Sequence, residues 1–264
     1  MKKTIALILF ISLLSLNAFT QTGTTWNGKS CAVVLTYDDG LNVDLSHAIP
    51  ALDSVGLKGT FYICDYFDGL KNQIAGWKKA GAEGHELANH TIWHPCEGGP
   101  GRDFVKDYDL RSYTVKRIVD EAREMNNFLE ALDGKSKRTF AFPCGDTKIH
   151  DSAYIDYLKE DFVAARVVRS EMLTIDKINL YDVGCYMING QSGDELIALV
   201  KQAMEKHALL VFLFHGVGGE HGLTVSLDAH SKLLHFLKQN QKTVWTVPMI
   251  DVAEFIKNYQ SKSK

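Results

Sequence analysis

The chain has 264 residues, of which 45% are hydrophobic and 23% are charged, and its formal net charge is -3. That length allows a sizeable core, and these fractions are ordinary for a soluble globular protein. Nothing in this charge balance indicates the basic face or stripe that a nucleic-acid-binding protein normally shows, so we expect no nucleic-acid partner.

The first segment, residues 1–21, has the pattern of a secretory signal. Lys2 and Lys3 supply positive charge, an apolar run follows at 5–16, and a cleavage region ends the segment. Because the run is shorter than the ~20 apolar residues of a membrane-spanning helix, cleavage is favoured over an uncleaved anchor. We therefore expect an exported protein, periplasmic or secreted. After cleavage we expect no stable membrane insertion and one domain over residues 22–264.

Short apolar runs alternate with stretches of helical spacing over the rest of the chain. Strands are predicted at 32–36, 59–64, 85–89, 139–142, 162–168, 209–214 and 243–247. Helices are predicted at 45–55, 74–82, 113–132, 153–158, 196–207, 229–239 and 250–259. Strand-then-helix repetition implies a parallel sheet with helices outside it. About seven such units predict an α/β fold in the form of a closed or nearly closed barrel.

The five cysteines are widely spaced and odd in number (Cys31, Cys64, Cys96, Cys144 and Cys185). No C-x-x-C pair occurs, which excludes a zinc ribbon and a thioredoxin-type motif. At most two disulfides can form, and we expect the fold not to depend on them. Cys31 and Cys185 lie in apolar segments and are expected to be buried as small hydrophobic residues.

Residues that can carry chemistry follow four of the predicted strands. Asp38 and Asp39 follow the first one, in the string Thr36–Gly40. In parallel α/β folds the carboxyl ends of the strands form the active site. Two adjacent carboxylates on an extended backbone point in different directions, so one can bind a metal while the other faces a reacting water. Taken alone, Asp-Asp-Gly is also typical of a turn.

His90 and His94 follow the third predicted strand. At this spacing both side chains share one face if the segment is helical, and both imidazoles can then reach one divalent ion. A solvated helix face explains the same pattern. Thr91 stands where a zincin carries its catalytic Glu, so the pattern does not favour a metalloprotease.

The other two strand ends carry a turn and a histidine. Pro143 and Gly145, in the string 142–146, fix a tight turn that can aim a backbone N–H at a developing oxyanion, although a plain loop has the same composition. His215 follows an apolar strand and suits a general acid, or a residue that only caps the strand. His221, in the next loop, is a substrate contact or a surface residue. Because strand ends converge in a barrel, the four patterns together predict one site.

Together these strings resemble the polysaccharide deacetylase family, also called the NodB-homology or carbohydrate esterase family 4 domain. Residues 36–40 (TYDDG) match its first motif, TFDDG, with Tyr for Phe. Residues 84–95 (GHELANHTIWHP) match the second motif, which is long and specific. Residues 142–145 resemble the third motif and 213–215 the fifth, so the resemblance covers about residues 30–256. It implies a distorted (β/α) barrel, commonly with seven strands.

By this resemblance Asp38 is the general base. The metal ligands are Asp39, His90 and His94. Zinc is the expected ion, with Co²⁺, Ni²⁺ or Mn²⁺ as alternatives. One carboxylate and two imidazoles leave open positions for water and a substrate carbonyl, and such an ion lowers the pKa of the water and polarises the carbonyl.

The remaining roles that the resemblance implies surround the scissile bond. The backbone N–H of Cys144 joins the metal in the oxyanion site, with Pro143 beside it as a substrate-binding residue. His215 protonates the departing amine or alkoxide, and Leu213 lines the pocket for the acetyl methyl group. His221 is a further candidate for binding substrate.

Two departures from the family pattern concern the supporting residues. Ala141 stands where the third motif usually has an Arg that orients the catalytic Asp. We hypothesise that Arg166, at the end of the next strand, orients Asp38 instead. The fourth motif, which supplies an Asp to the catalytic His, has no clear match, and Asp176 and Asp182 are both candidates. Some branches of the family carry altered third and fourth motifs, so these departures are compatible with activity.

The resemblance implies removal of acetyl groups from a polysaccharide or oligosaccharide. The bond is N-linked, as in chitin-like or peptidoglycan material, or O-linked, as in xylan. Two alternatives stay open: a glycan-binding module that has lost turnover, and a small-molecule amide hydrolase of the same fold. The complete set of acid, base and metal ligands favours an enzyme. The sequence does not predict the oligomeric state.

Overall fold

The structure, a computed structural model, describes residues 26–262, so the predicted signal segment lies outside the described residues. Its strands are β1 (Cys31–Asp39), β2 (Thr60–Ile63), β3 (Glu86–Asn89), β4 (Thr139–Ala141), β5 (Lys148–Ile149), β6 (Ser152–Ala153), β7 (Ala164–Arg166), β8 (Tyr186–Met187), β9 (Leu209–Phe214), β10 (Gly216–Val217), β11 (Thr224–Val225) and β12 (Val244–Thr246). Its α-helices are α1 (Ile49–Ser54), α2 (Asp68–Asn72), α3 (Ile74–Ala82), α4 (Val115–Asp133), α5 (Gly193–Lys206), α6 (Leu227–Gln239) and α7 (Met249–Lys262). Among residues 26–262 no helix is both long and apolar enough to span a bilayer.

A parallel sheet with the strand order β7-β4-β3-β2-β1-β9-β8 forms the centre of the fold. β12 is an eighth strand that pairs with the first half of β1, while β2 pairs with its second half. Val183, just before β8, hydrogen-bonds to the backbone of Ala165 and Val167 and so links the two ends of this order. The sheet is curled, and the predicted distorted (β/α) barrel, with seven strands along its main path, is confirmed.

Two predicted helices differ from the structure. The helix predicted at 153–158 is wrong, because the chain forms the β5-β6 hairpin and then a single 3-10 turn at Tyr154–Tyr157. Tyr154, Ile155 and Leu158 are buried in a core cluster with Phe140 and Phe142, so tertiary packing overrides the helical spacing of this segment. The helix predicted at 45–55 is divided into a π-helical turn at Asp44–Ala48 and α1. Pro50 lacks the N–H that would continue the hydrogen-bond ladder across this junction.

Alternate residues of β1 pack into different parts of the core. Val33 and Leu35 belong to a cluster with side chains of α5 and α6, while Ala32 and Val34 belong to a cluster with side chains of α7. All nine residues of the strand are buried, as expected of a parallel strand that is covered on both faces. The polar residues at the carboxyl end of β1 therefore lie at an edge of the barrel that is largely shielded from solvent.

His230 of α6 is buried against β1, and its Nε2 atom lies 2.8 Å from the hydroxyl of Tyr37. Burial lowers the pKa of His230 from 6.5 to about 4. Below pH 6.5 the unfolded chain gains a proton that the folded chain does not bind, so the neutral ring's contribution to stability is lost progressively down to pH 4.

We expect His230→Gln, which keeps a hydrogen-bonding group, to be less stable than the wild type at pH 7.5 but to lose less stability in acid. The difference in unfolding free energy should shrink by about 2 kcal/mol between pH 7.5 and pH 5. Urea unfolding at both pH values measures it. His235→Gln, on the exposed side of the same helix, is the control. A constant difference for His230→Gln would contradict the neutral buried ring.

Candidate active site

β1 brings two adjacent carboxylates, those of Asp38 and Asp39, to one place. Consecutive side chains of a strand normally point to opposite faces, but Asp39 has a left-handed backbone (φ 81°) that turns the chain. As a result Oδ2 of Asp38 lies 3.7 Å from Nε2 of His90, and Oδ1 of Asp39 lies 3.8 Å from the same atom. Such strain in a non-glycine residue is concentrated at functional sites.

The segment from His90 to His94 is a loop, so the helical geometry considered for this spacing is wrong. Thr91 and His94 both have positive φ (63° and 50°). Asn89 fixes the turn, because its side-chain oxygen accepts a hydrogen bond from the N–H of Thr91. The hydroxyl of Thr91 in turn accepts one from the N–H of His94. This turn brings the two imidazole centroids within 4.7 Å.

Asp39, His90 and His94 each present one ligand atom to the same small space, with the three atoms within 4.8 Å of one another. Nε2 of His94 is 3.4 Å from Oδ1 of Asp39, and ligands held at about 2.1 Å by a tetrahedral ion stand about 3.4 Å apart. Oδ1 of Asp39 is buried without a hydrogen-bond partner among residues 26–262, a costly state that a bound cation would relieve. The donor set therefore fits a divalent ion.

Both histidines of this group are in the form that binds metals. Nδ1 of His90 donates a hydrogen bond of 2.8 Å to the carbonyl oxygen of Ala141 and leaves the lone pair of Nε2 free. Burial, followed by the charge of Arg166, lowers the pKa of His90 to about 3. Burial also holds the pKa of His94 well below its ordinary value. Burial and the neighbouring carboxylate raise the pKa of Asp39, so a nearby cation is needed to stabilise its charge.

Arg166 lies directly beside Asp38. β7 pairs with β4 so that Arg166 is the register partner of Ala141, the position where the family motif has its Arg. Nη2 of Arg166 is bonded to Oδ2 of Asp38, and both side chains are buried. Nη1 lies 3.4 Å from the sulfur of Cys185. The guanidinium thus reaches Asp38 from the strand beside β4, while its orienting role stays a prediction.

The turn after β4 carries the predicted oxyanion donor. Pro143–Gly145 form one 3-10 turn in which Cys144 has a φ of 55°. The N–H groups of Gly145 and Asp146 close the turn on the carbonyls of Phe142 and Pro143. Cys144 lines the same cleft as the two carboxylates, and the role of its backbone N–H stays a prediction.

Cys96 and Cys144 form a disulfide, which the sequence did not predict. It joins the loop that follows His94 to the turn after β4. The two cysteines are 48 residues apart, and such a spacing carries no pairing signal. The other three cysteines are free and buried, as expected for Cys31 and Cys185.

His215 follows β9 and faces the cleft, but neither predicted acidic partner reaches it. Asp176 is exposed, and the half-exposed Asp182 pairs with Arg169. Both candidates are wrong because their carboxylates lie toward solvent. Nδ1 of His215 is buried with no hydrogen-bond partner in the described part of the chain. The ring of His215 instead stacks on that of His221, with centroids 4.6 Å apart and planes 12° apart.

His221 lies on the wall of the cleft. Its Nδ1 accepts a 3.0 Å hydrogen bond from the N–H of Leu223, so Nε2 carries the ring proton, and Nε2 lies 3.9 Å from Oδ2 of Asp39. The preceding residue, Glu220, ties this loop to the chain after β1, where two backbone N–H groups donate to its carboxylate. No sequence pattern pointed to Glu220.

The site forms the floor of a cleft of about 440 Å³. Leu213 lies in the floor, and most of the lining side chains are apolar or aromatic. Tyr66 and Phe104 are exposed at the rim, Phe104 with 59% of its surface accessible. Tyr66 packs edge-on against Tyr108, whose ring is parallel to that of Trp93 at 5.1 Å.

Fold and site together define an α/β barrel with a candidate metal centre at its carboxyl edge. The family model for polysaccharide deacetylase matches residues 27–161, and the chain belongs to this family. It is similar to the peptidoglycan-N-acetylmuramic acid deacetylase PdaA of Bacillus subtilis (strain 168), with 27% identity over 118 residues, 44% of this chain and 39% of PdaA. The chain spans less than half the length of the curated relatives that it matches.

Solved structures share the fold at low sequence identity. Peptidoglycan deacetylase PdaC from Bacillus subtilis aligns with a TM-score of 0.53 and 15% identity, over 88% of this chain and 95% of PdaC. BA3943 from Bacillus anthracis, a CE4 family pseudoenzyme, aligns with a TM-score of 0.53 and 16% identity, over 84% of this chain and 65% of BA3943. At this identity the likeness concerns the fold alone.

Proposed function

We propose that this protein is an exported, metal-dependent hydrolase that removes N-linked acetyl groups from a peptidoglycan-type glycan. The observation that carries the proposal is the convergence, in one cleft, of the Asp38–Arg166 pair with the three potential ligand atoms of Asp39, His90 and His94. The N-acetyl choice rests on the relative PdaA, whose name describes deacetylation of a peptidoglycan sugar.

Asp38 is suited to accept a proton from the attacking water. Arg166 occupies its Oδ2 atom, whereas Oδ1 is buried with no hydrogen-bond partner among residues 26–262. One carboxylate oxygen is therefore held and the other is available, which is the arrangement that a general base needs. A divalent ion held by Asp39, His90 and His94 would polarise the acetyl carbonyl and acidify water at the same place.

The other groups act on the carbonyl oxygen and on the departing amine. The N–H of Cys144 would donate to the developing oxyanion from its fixed turn. Burial lowers the pKa of His215 to about 3, against the opposing influence of Asp38, so the resting ring is neutral. Negative charge that develops on the substrate favours the protonated ring, which can then donate to the leaving amine. Leu213 would pack beside the acetyl methyl.

The aromatic rim would hold a neighbouring sugar ring. Phe104→Ala should raise KM about 2- to 10-fold and leave kcat nearly unchanged, because an exposed aromatic contact is worth about 0.5–1.5 kcal/mol. Steady-state kinetics on a soluble oligosaccharide measure both constants. Tyr157→Ala, which removes an exposed aromatic residue outside the cleft, is the matched control. Equal KM values for the two variants would contradict a sugar contact at the rim.

The proposed activity is tested by acetate release from peptidoglycan, chitin oligomers, acetylated xylan and a small acetylated amide, with the purified chain loaded with Zn²⁺ or Co²⁺. Release from peptidoglycan supports the proposal. Release from xylan alone would replace the N-acetyl substrate with an O-acetyl one, and release from a small amide alone would favour the amide hydrolase. Metal content is measured on the same samples, and equal activity after chelation would contradict metal dependence.

A glycan-binding module without turnover is the second candidate. It is favoured by the missing hydrogen-bond partner of His215 in the described residues and by a pseudoenzyme of the same fold. Binding to insoluble peptidoglycan without acetate release from any substrate would support it.

A further inference from the structure

We propose that reduction of the Cys96–Cys144 disulfide creates a second metal site, in which the two thiolates and Nδ1 of His94 bind a thiophilic divalent ion such as Zn²⁺ or Cd²⁺. In the oxidised chain the disulfide keeps this site closed and leaves His94 to the group with Asp39 and His90. The assignment of His94 to that group rests on its proposed role as a metal ligand.

His94 lies between two groups of ligand atoms. Its Nε2 is 3.4 Å from Oδ1 of Asp39, and its Nδ1 is 3.5 Å from the sulfur of Cys96. His94, Cys96 and Cys144 present atoms within 4.8 Å of one another, as do Asp39, His90 and His94. A tetrahedral zinc ion with sulfur at about 2.3 Å and nitrogen at about 2.0 Å holds these two ligand types about 3.5 Å apart. The nitrogen and the sulfur already stand at that separation.

The backbone around both cysteines is held independently of the sulfur–sulfur bond. The carbonyl of Cys96 accepts a 2.9 Å hydrogen bond from the N–H of Leu110. Asp146 joins the two segments, because its carboxylate accepts a 2.8 Å hydrogen bond from the N–H of Glu97 and a further one, of 2.5 Å, from Arg102. The two sulfurs therefore stay near each other and near His94 after the bond is broken.

The chemistry balances with an external thiol or phosphine as reductant. Two molecules of thiol are oxidised to their own disulfide, or one phosphine takes oxygen from water and becomes its oxide. The sulfur–sulfur bond receives the two electrons and two protons and breaks, so that two thiols form. Metal binding then releases the two thiol protons, because the thiolates are the ligands. Thiolates are softer ligands than a carboxylate and favour zinc-like ions. Cys144 lines the open cleft, so a small reductant can reach the bond.

One neutral imidazole can serve only one of the two groups. It has a single lone pair, on Nδ1 or on Nε2, and the other nitrogen carries the proton. An ion held by the two thiolates and Nδ1 therefore leaves Nε2 of His94 protonated and unable to bind a second ion. Whether Cys96 and Cys144 are oxidised or reduced therefore determines which of the two ligand groups includes His94.

Co²⁺ titration of the oxidised and the reduced full chain tests the proposal, since thiolate ligands give a near-ultraviolet charge-transfer band that oxygen and nitrogen ligands do not. We expect no such band in the oxidised chain and a band that saturates near one Co²⁺ per chain after phosphine reduction under nitrogen. Because loss of even a supporting partner costs about 10- to 100-fold in metal affinity, Cys96→Ser should weaken Cd²⁺ binding by the reduced chain by at least about 100-fold.

Cys31→Ala removes a buried thiol far from the cleft and should keep the band. Absence of the band in the reduced wild type overturns the proposal, and so does a band that persists in both Cys96→Ser and Cys144→Ser, since the ligand would then be another thiol. The two serine variants break the same bond from opposite ends, so one remains informative if the other fails to fold. Acetate release by the oxidised wild type is measured separately, so a failed deacetylase proposal is distinguished from a failed thiolate site.

Discussion

Asp38→Asn is expected to lower kcat for acetate release by about 10²- to 10⁴-fold, the usual contribution of a positioned general base. The amide keeps the size of the carboxylate and can still lie beside Arg166, but it cannot take a proton from water. The free Oδ1 atom, buried and without a partner among the described residues, is the one whose basicity is lost. Steady-state kinetics on peptidoglycan fragments measure the loss.

Metal content separates this effect from damage to the neighbouring ligands. The metal-to-chain ratio of Asp38→Asn should equal that of the wild type, because Asp39, His90 and His94 are unchanged. Asp107→Asn, an exposed carboxylate on the rim of the same cleft, is the matched control and should retain full activity. If Asp38→Asn released acetate as fast as this control, Asp38 would not be the base.

The fold could be predicted from the sequence because strand and helix patterns alternate regularly along this chain. Errors arose where tertiary packing overrides local preference, as in the predicted helix at 153–158, which is a hairpin and a 3-10 turn. For the candidate site, the position of Arg166 could be anticipated because it ends the strand after the third motif. Arg166 is the register partner of Ala141 on β4, and this position explains why its guanidinium reaches Asp38.

Features that depend on long-range geometry could not be predicted. The disulfide between Cys96 and Cys144 depends on how two loops pack against each other. No local sequence pattern around either cysteine predicts this pairing. The left-handed residues Asp39 and His94 are non-glycine positions whose backbone is imposed by surrounding contacts. The family pattern predicts an acidic partner for His215, whereas the structure places the ring of His221 against it.

Arg166→Met is expected to cost about 3–5 kcal/mol of unfolding free energy at neutral pH, because it leaves the buried carboxylate of Asp38 without its counter-charge. Arg166 has no exposed surface, and Asp38 is 3% exposed. Methionine keeps much of the volume, so loss of the charge outweighs loss of packing. Urea unfolding measures the change, and kcat should fall as well if the guanidinium orients the base.

A double-mutant cycle distinguishes orientation of Asp38 from a purely structural effect of Arg166. In Asp38→Asn/Arg166→Met the buried charge of Asp38 is removed together with its partner, so the double variant should be more stable than Arg166→Met alone. Its kcat should be no lower than that of Asp38→Asn, because a residue that acts only through Asp38 has nothing left to orient. If Arg166→Met turned over at the wild-type rate, or if the two losses in kcat simply multiplied, the orienting role would be wrong.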